Sequence, residues 1–108
     1  RTAIGAISEP GVGVIAGDVS NADAWWVKLS GTIPLIIQGG STYTCSGSVT
    51  FSIALNTVLH VQINQVTNSA QGITEQHNPV ANNLTQTGFS YENWDFHDSR
   101  NVWLVVGT

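Results

Sequence analysis

The densest group of chemically capable side chains in the sequence lies near its end, where Tyr91, Trp94, Asp95, His97, Asp98 and Arg100 fall within one short stretch. A pyranose presents an apolar face that can stack on an aromatic ring and a rim of hydroxyls that need hydrogen-bonding partners. An indole flanked by carboxylate, imidazole and guanidinium groups supplies both. These six residues are therefore the candidate ligand-binding set, with Trp94 stacking on a sugar ring and His97, Asp98 and Arg100 bonding its hydroxyls. The competing reading is structural: Trp94 and Phe96 plug the end of a β-fold while the charged groups are solvated. Loops carry function often enough to keep both in view.

The same residues give weaker support to other chemistries. Asp95, His97 and Asp98 are of types that ligate metals, yet no recognised loop signature frames them, and no metal is expected. Ser99, His97 and Asp98 name the components of a nucleophilic triad, but adjacency in sequence is not triad geometry and no nucleophile elbow is present. A glycosidase needs two carboxyl groups across a cleft, and no motif singles out a pair among the seven acidic residues. No catalytic residue is assigned, and the chain is not expected to be an enzyme. Gly11-Val12-Gly13 is too little for a phosphate loop. His60 and His77 stand alone, and no cofactor is expected. Cys45 is the only cysteine, which excludes an internal disulfide; it is expected to be a small buried hydrophobe in a strand.

Composition narrows the class of partner. Charged residues make up 9% of the 108 residues, against about 25% in an ordinary soluble domain. Only Arg1, Lys28 and Arg100 are basic and the net charge is −4, so there is no cationic footprint for nucleic acid. No apolar run is long enough to span a bilayer as a helix, and a membrane-inserted chain is not expected. The chain has no Met and starts at Arg1, so it is expected to be a fragment or a processed product.

The elements that would position the candidate residues read as β throughout. Residues 1–24 are rich in Gly, Ala and Ser and broken at Pro10, Gly11, Gly13 and Gly17; they read as a junction segment in which short strands are possible but no helix. From Trp25 onward, runs of aromatic and β-branched residues alternate with Ser-Gly and Gly-Gly punctuation. Strands are expected over Trp25 to Leu29, Ile33 to Gln38, Tyr43 to Cys45, Ser48 to Ile53, Gly88 to Asn93 and Asn101 to Val106. Pro34 lacks a ladder donor and should sit at a strand start or an edge. In the run from Val58 to Asn64, Leu59, Val61 and Ile63 share one face while His60, Gln62 and Asn64 form a wet one. Residues 68–83 read as a long polar loop, with or without a short strand. Trp25 and Trp26 are adjacent, so one faces inward and the other outward as a contact candidate. The fold class is all-β, a small antiparallel β-sandwich spanning residues 25–108.

Two motifs carry a family resemblance. Trp25 to Gly31 followed by Pro34-Leu35-Ile36-Ile37-Gln38-Gly39-Gly40 resembles the opening of the C-terminal, receptor-binding domain of bacteriophage tail fibres. Thr87-Gly88-Phe89 and Asn101-Val102-Trp103-Leu104-Val105-Val106-Gly107 resemble that domain's closing strands. Gly39 stands where such domains often have Trp. The closing pattern is also similar to that of H-type lectins, small trimeric sandwiches in which a loop between the last two strands touches the sugar; that loop maps onto Trp94 and His97, whose different spacing leaves the sugar specificity behind. The resemblance implies a homotrimer at the distal, extracellular end of a virion's tail fibre, joined to a shaft through residues 1–24. Its partner would be a bacterial surface glycan such as lipopolysaccharide or another polysaccharide, used for host attachment. A free H-type-like lectin and a purely structural trimerisation module of a fibre remain the alternatives.

Overall fold

The computed structural model describes residues 13–67, 79–93 and 99–108. Among these the chain is all-β, without helix: β1 (Val14–Asp18), β2 (Ala24–Leu29), β3 (Ile36–Thr42), β4 (Ser46–Thr50), β5 (Val58–Thr67), β6 (Val80–Asn82), β7 (Gly88–Glu92) and β8 (Ser99–Gly107). They form a five-stranded sheet in the order β1-β2-β3-β8-β5 and a three-stranded sheet in the order β4-β7-β6. Every pairing is antiparallel. Strand β1 falls within residues 1–24 and pairs with β2.

The two sheets meet face to face because alternate residues of their strands are large and apolar. Ile36, Ile63, Trp103 and Val105 come from the larger sheet and Val49, Phe89 and Tyr91 from the smaller, with Phe51 and Leu55 supplied by the connection after β4. Burying each such side chain contributes about 1.5–3 kcal/mol. Phe51, Phe89 and Trp103 form an aromatic triangle with centroids 6.1, 6.0 and 5.9 Å apart, a separation at which each pair adds about 0.5–1.5 kcal/mol beyond area burial.

A polar cross-link joins the larger sheet to that connection. Gln38, fully buried in β3, donates from Nε2 to the Ile53 carbonyl at 2.7 Å and accepts from the Ile53 N–H through Oε1 at 3.0 Å. One side chain thus satisfies both backbone groups of a residue that no strand reaches, which removes the desolvation cost they would otherwise carry.

Most strands fall where the pattern places them, and the differences have local causes. The strand after Pro34 begins at Ile36 and runs on to Thr42 in the sheet interior; proline lies just outside its ladder, as its missing donor requires. Tyr43, Thr44 and Cys45 form the turn into β4 instead of a strand. Cys45 is correspondingly exposed, against the expectation of a buried thiol. Leu59 departs from the face it was expected to share with Val61 and Ile63. The β5–β8 register shifts between Val58 and His60, and this bulge leaves Leu59 58% exposed while Val58 packs against the core instead. In the long segment 68–83, β6 is a short strand at Val80–Asn82; residues 68–78 lie outside the described residues.

Candidate functional site

Strands β7 and β8 carry the two ends of the last loop, and a buried amide network ties those ends together. Asn93, just past β7, donates from Nδ2 to Asn101 Oδ1 at 2.9 Å and to Gln65 Oε1 at 2.8 Å. Asn101, in β8, donates from Nδ2 to Thr42 Oγ1 at 3.1 Å and to the Thr44 carbonyl at 3.0 Å. The Asn93 N–H donates to the Cys45 carbonyl at 2.6 Å. Both asparagines are almost fully buried. Asn93 Oδ1 is buried without a hydrogen-bond partner among the described residues.

Of the six candidate residues, Trp94, Asp95, His97 and Asp98 lie outside the described residues. Tyr91 is described and is 3% exposed. Its ring is part of the core cluster, and its hydroxyl is 2.6 Å from Thr44 Oγ1. Alternation places it on the same inward face as Phe89, so Tyr91 supports the base of the loop instead of offering a ring to a ligand. Arg100 is exposed on β8. It pairs with Val66 across the ladder, which puts it on the face of the five-stranded sheet that points away from the core.

That outward face holds a groove of about 280 Å³. Trp25, Gln62, Asn64, Arg100, Val102 and Leu104 are among its lining residues. Cross-strand register explains how four strands build it: Trp25 is opposite Gly39, Gly39 opposite Leu104, and Leu104 opposite Gln62. Gly39 makes room for the indole, since a Cβ there would stand 2.7 Å from Trp25 Cζ2. Trp25 is therefore the outward member of the tryptophan pair. Trp26 shares the inward face of Gln38, its partner across the ladder.

On the β5 side the groove is edged by a ladder of polar side chains. Gln62 Nε2 donates to Asn64 Oδ1 at 2.8 Å, and His60 Nε2 lies 3.4 Å from Gln62 Oε1. The resulting wall is an indole, two amides and a guanidinium, with no carboxylate among the described residues that line it. Such a surface can stack a sugar ring, bond its hydroxyls and pair with an anion. A second concavity, on β4 and β7, is lined by hydroxyls of Ser48, Thr50, Thr85, Thr87 and Ser90; the one ring among its lining residues, Phe89, is buried. Gln62 and Asn64 were legible only as the wet face of their strand. Their spacing of two on one face was the available signal, and it is shared by most half-buried strands.

Among the described residues no group of three His, Cys, Asp or Glu side chains could hold a metal ion, and no helix is long and apolar enough to cross a membrane. Asp95, His97 and Asp98, whose types could ligate a metal though none was expected there, lie outside those residues.

Fold and groove together define an antiparallel β-sandwich with a polar, tryptophan-bearing depression on its larger sheet. That fold is found in solved tail-fibre structures. The chain is similar over its whole length to an N-truncated R2-type pyocin tail fibre, at 24% identity and a TM-score of 0.72. It is likewise similar over its whole length to a C-terminal fragment of the P. aeruginosa R2 pyocin fibre, at 25% identity and a TM-score of 0.72. It spans 43% and 30% of those two chains, less than half of either. No family model matches the chain, and no curated protein matches it in sequence.

Proposed function

We propose that this domain is the receptor-binding part of a phage-type tail fibre, sited at the fibre's distal, extracellular end, and that it attaches the particle to a bacterial surface glycan. The observation that carries the reading is the likeness of the entire chain to C-terminal pyocin fibre fragments. The outward groove supports it with the aromatic and amide groups that sugars require. The domain acts by binding and performs no catalysis.

It works as a homotrimer. Val14, Ile15 and Val19 are 62%, 60% and 68% exposed on and beside β1, the edge strand among the described residues, an apolar edge of the kind that monomeric proteins normally blunt. Copies meeting along β1 leave the groove, which runs from Trp25 of β2 across β3 and β8 to β5, open to ligand. Three weak sites on one particle then reach useful avidity on a repetitive surface. Nucleic acid and membrane insertion play no part.

The test is adsorption of the fluorescently labelled chain to bacterial surface polysaccharides arrayed on glass. The reading expects retention by at least one polysaccharide and none by an oligonucleotide at physiological salt. Trp94→Ala, His97→Ala and Arg100→Ala should weaken retention, the two gentler changes at His97 and Arg100 with unchanged melting points. Loss of retention in all three with normal folding supports the last loop as part of the site, whereas a chain that binds no polysaccharide in any assembly state is a structural fibre module.

A further inference from the structure

We infer that the groove between Trp25 and the Gln62–Asn64 ladder is a subsite for an anionic sugar, one carrying a carboxylate or phosphate on its ring. The inference rests on the reading of the domain as a glycan binder and names the class of sugar.

Three observations converge on it. Trp25 lies over Gly39, so its ring is held against the sheet by a position that has no side chain of its own. A ring fixed in this way is a stacking platform that loses little freedom when a ligand arrives. Gln62 and Asn64 are bonded to each other through one donor and one acceptor, which holds them in place and leaves further donors and acceptors on each amide for hydroxyls. Among the described residues lining the groove, Arg100 brings the only cationic side chain and none is a carboxylate. In a chain of net charge −4, an arginine facing a depression whose described lining residues include no acid marks a place suited to accept negative charge. Its planar fork matches a carboxylate or phosphate edge with two parallel hydrogen bonds.

The arrangement divides the work of recognition. Stacking on Trp25 and bonding to the amides are indifferent to charge, so a neutral pyranose would use them equally well. Arg100 alone separates an anionic sugar from a neutral one. Affinity should therefore fall with salt for the anionic ligand and stay level for the neutral one.

The experiment is a nuclear magnetic resonance titration of the ¹⁵N-labelled chain with methyl glucuronide, glucose 6-phosphate and methyl glucoside in parallel. The expected result is perturbation of the Trp25 indole and the Gln62 and Asn64 side-chain amides, with both anionic sugars binding about ten-fold more tightly than the glucoside, equivalent to about 1.4 kcal/mol. Arg100→Gln should erase that preference, bringing the two anionic sugars to the same affinity as the glucoside. Trp25→Phe, milder than Trp25→Ala because it keeps a ring over Gly39, should weaken all three. Binding of only one anionic probe assigns the carboxylate or the phosphate.

Equal affinity for the three probes, a preference that survives Arg100→Gln, or perturbations that avoid the groove would each overturn the inference. So would occlusion by a second copy of the chain, seen as probe affinity that falls as protein concentration rises. The broader reading fails separately: a wild-type chain that retains no bacterial polysaccharide defeats glycan binding altogether, whereas one that retains polysaccharide equally with and without Arg100 defeats only the groove.

Discussion

Asn93 and Asn101 stand on opposite sides of the last loop and share a hydrogen bond of 2.9 Å inside the protein. Each is also bonded to a third element, Asn93 to Gln65 of β5 and Asn101 to Thr42 at the end of β3 and to Thr44 in the turn beyond it. The loop ends are therefore held to each other and to the larger sheet by directional bonds. In a buried network every removed partner strands another polar group.

Asn101→Ala should consequently cost more than one ordinary hydrogen bond. It leaves Asn93 Nδ2 and the Thr44 carbonyl short of a partner, and a loss of about 2–3 kcal/mol is expected from the desolvation of groups left unsatisfied. Urea unfolding of the two proteins checks it; a difference below about 0.5 kcal/mol, the size typical of surface changes, would mean that the network is not the anchor described.

Gly39→Ala should disturb the groove from beneath. The added methyl would stand 2.5 Å from the Trp103 carbonyl oxygen and 2.7 Å from Trp25 Cζ2, and overpacking of this kind costs about 1–3 kcal/mol. A double-mutant cycle with Trp25→Ala should show coupling between the two positions, because part of the clash disappears with the indole. Additive effects would indicate that the ring does not rest on Gly39 in solution.

Asp18 gives a pH-dependent expectation. Its Oδ1 accepts from the Ser20 hydroxyl at 2.6 Å and from the Ser20 N–H at 3.0 Å, and these bonds, the hydroxyl's first, hold its pKa below the ordinary value of 3.8. A depressed carboxyl stabilises the fold above its unfolded pKa and loses that contribution as pH falls through the folded value. Ser20→Ala should raise the Asp18 midpoint in a carboxyl ¹³C titration and should destabilise the protein near neutrality but not in strong acid. Identical midpoints in the two proteins would contradict the geometry.

What was legible in the sequence was what depends on neighbours along the chain. Phe89 with Tyr91, and Trp103 with Val105, are buried alternately in their strands as the period of two requires. Residues whose environment is set by distant partners were hidden. Gln38 reads as an ordinary polar residue until the Ile53 backbone is brought against it, and Leu59 reads as core until the β5–β8 register shifts beside it. The groove is hidden for the same reason. Trp25, Gln62 and Leu104 converge only through the order β2-β3-β8-β5, which no local pattern specifies. The sequence pointed to the last loop and to one of Trp25 and Trp26, and of the residues it named, Trp25 and Arg100 line the groove.

The turn at Cys45 gives the chain a chemical handle that needs no engineering. Its thiol is exposed and is the only one in the sequence, while its carbonyl accepts the Asn93 N–H beside the last loop. A maleimide dye would therefore label a single position, close enough to the amide network to sense its rearrangement. The same thiol can be oxidised to a disulfide between two chains in air, so a dimer's mass recorded without reductant reports on solvent chemistry, and any count of subunits in the assembly belongs in a reducing buffer.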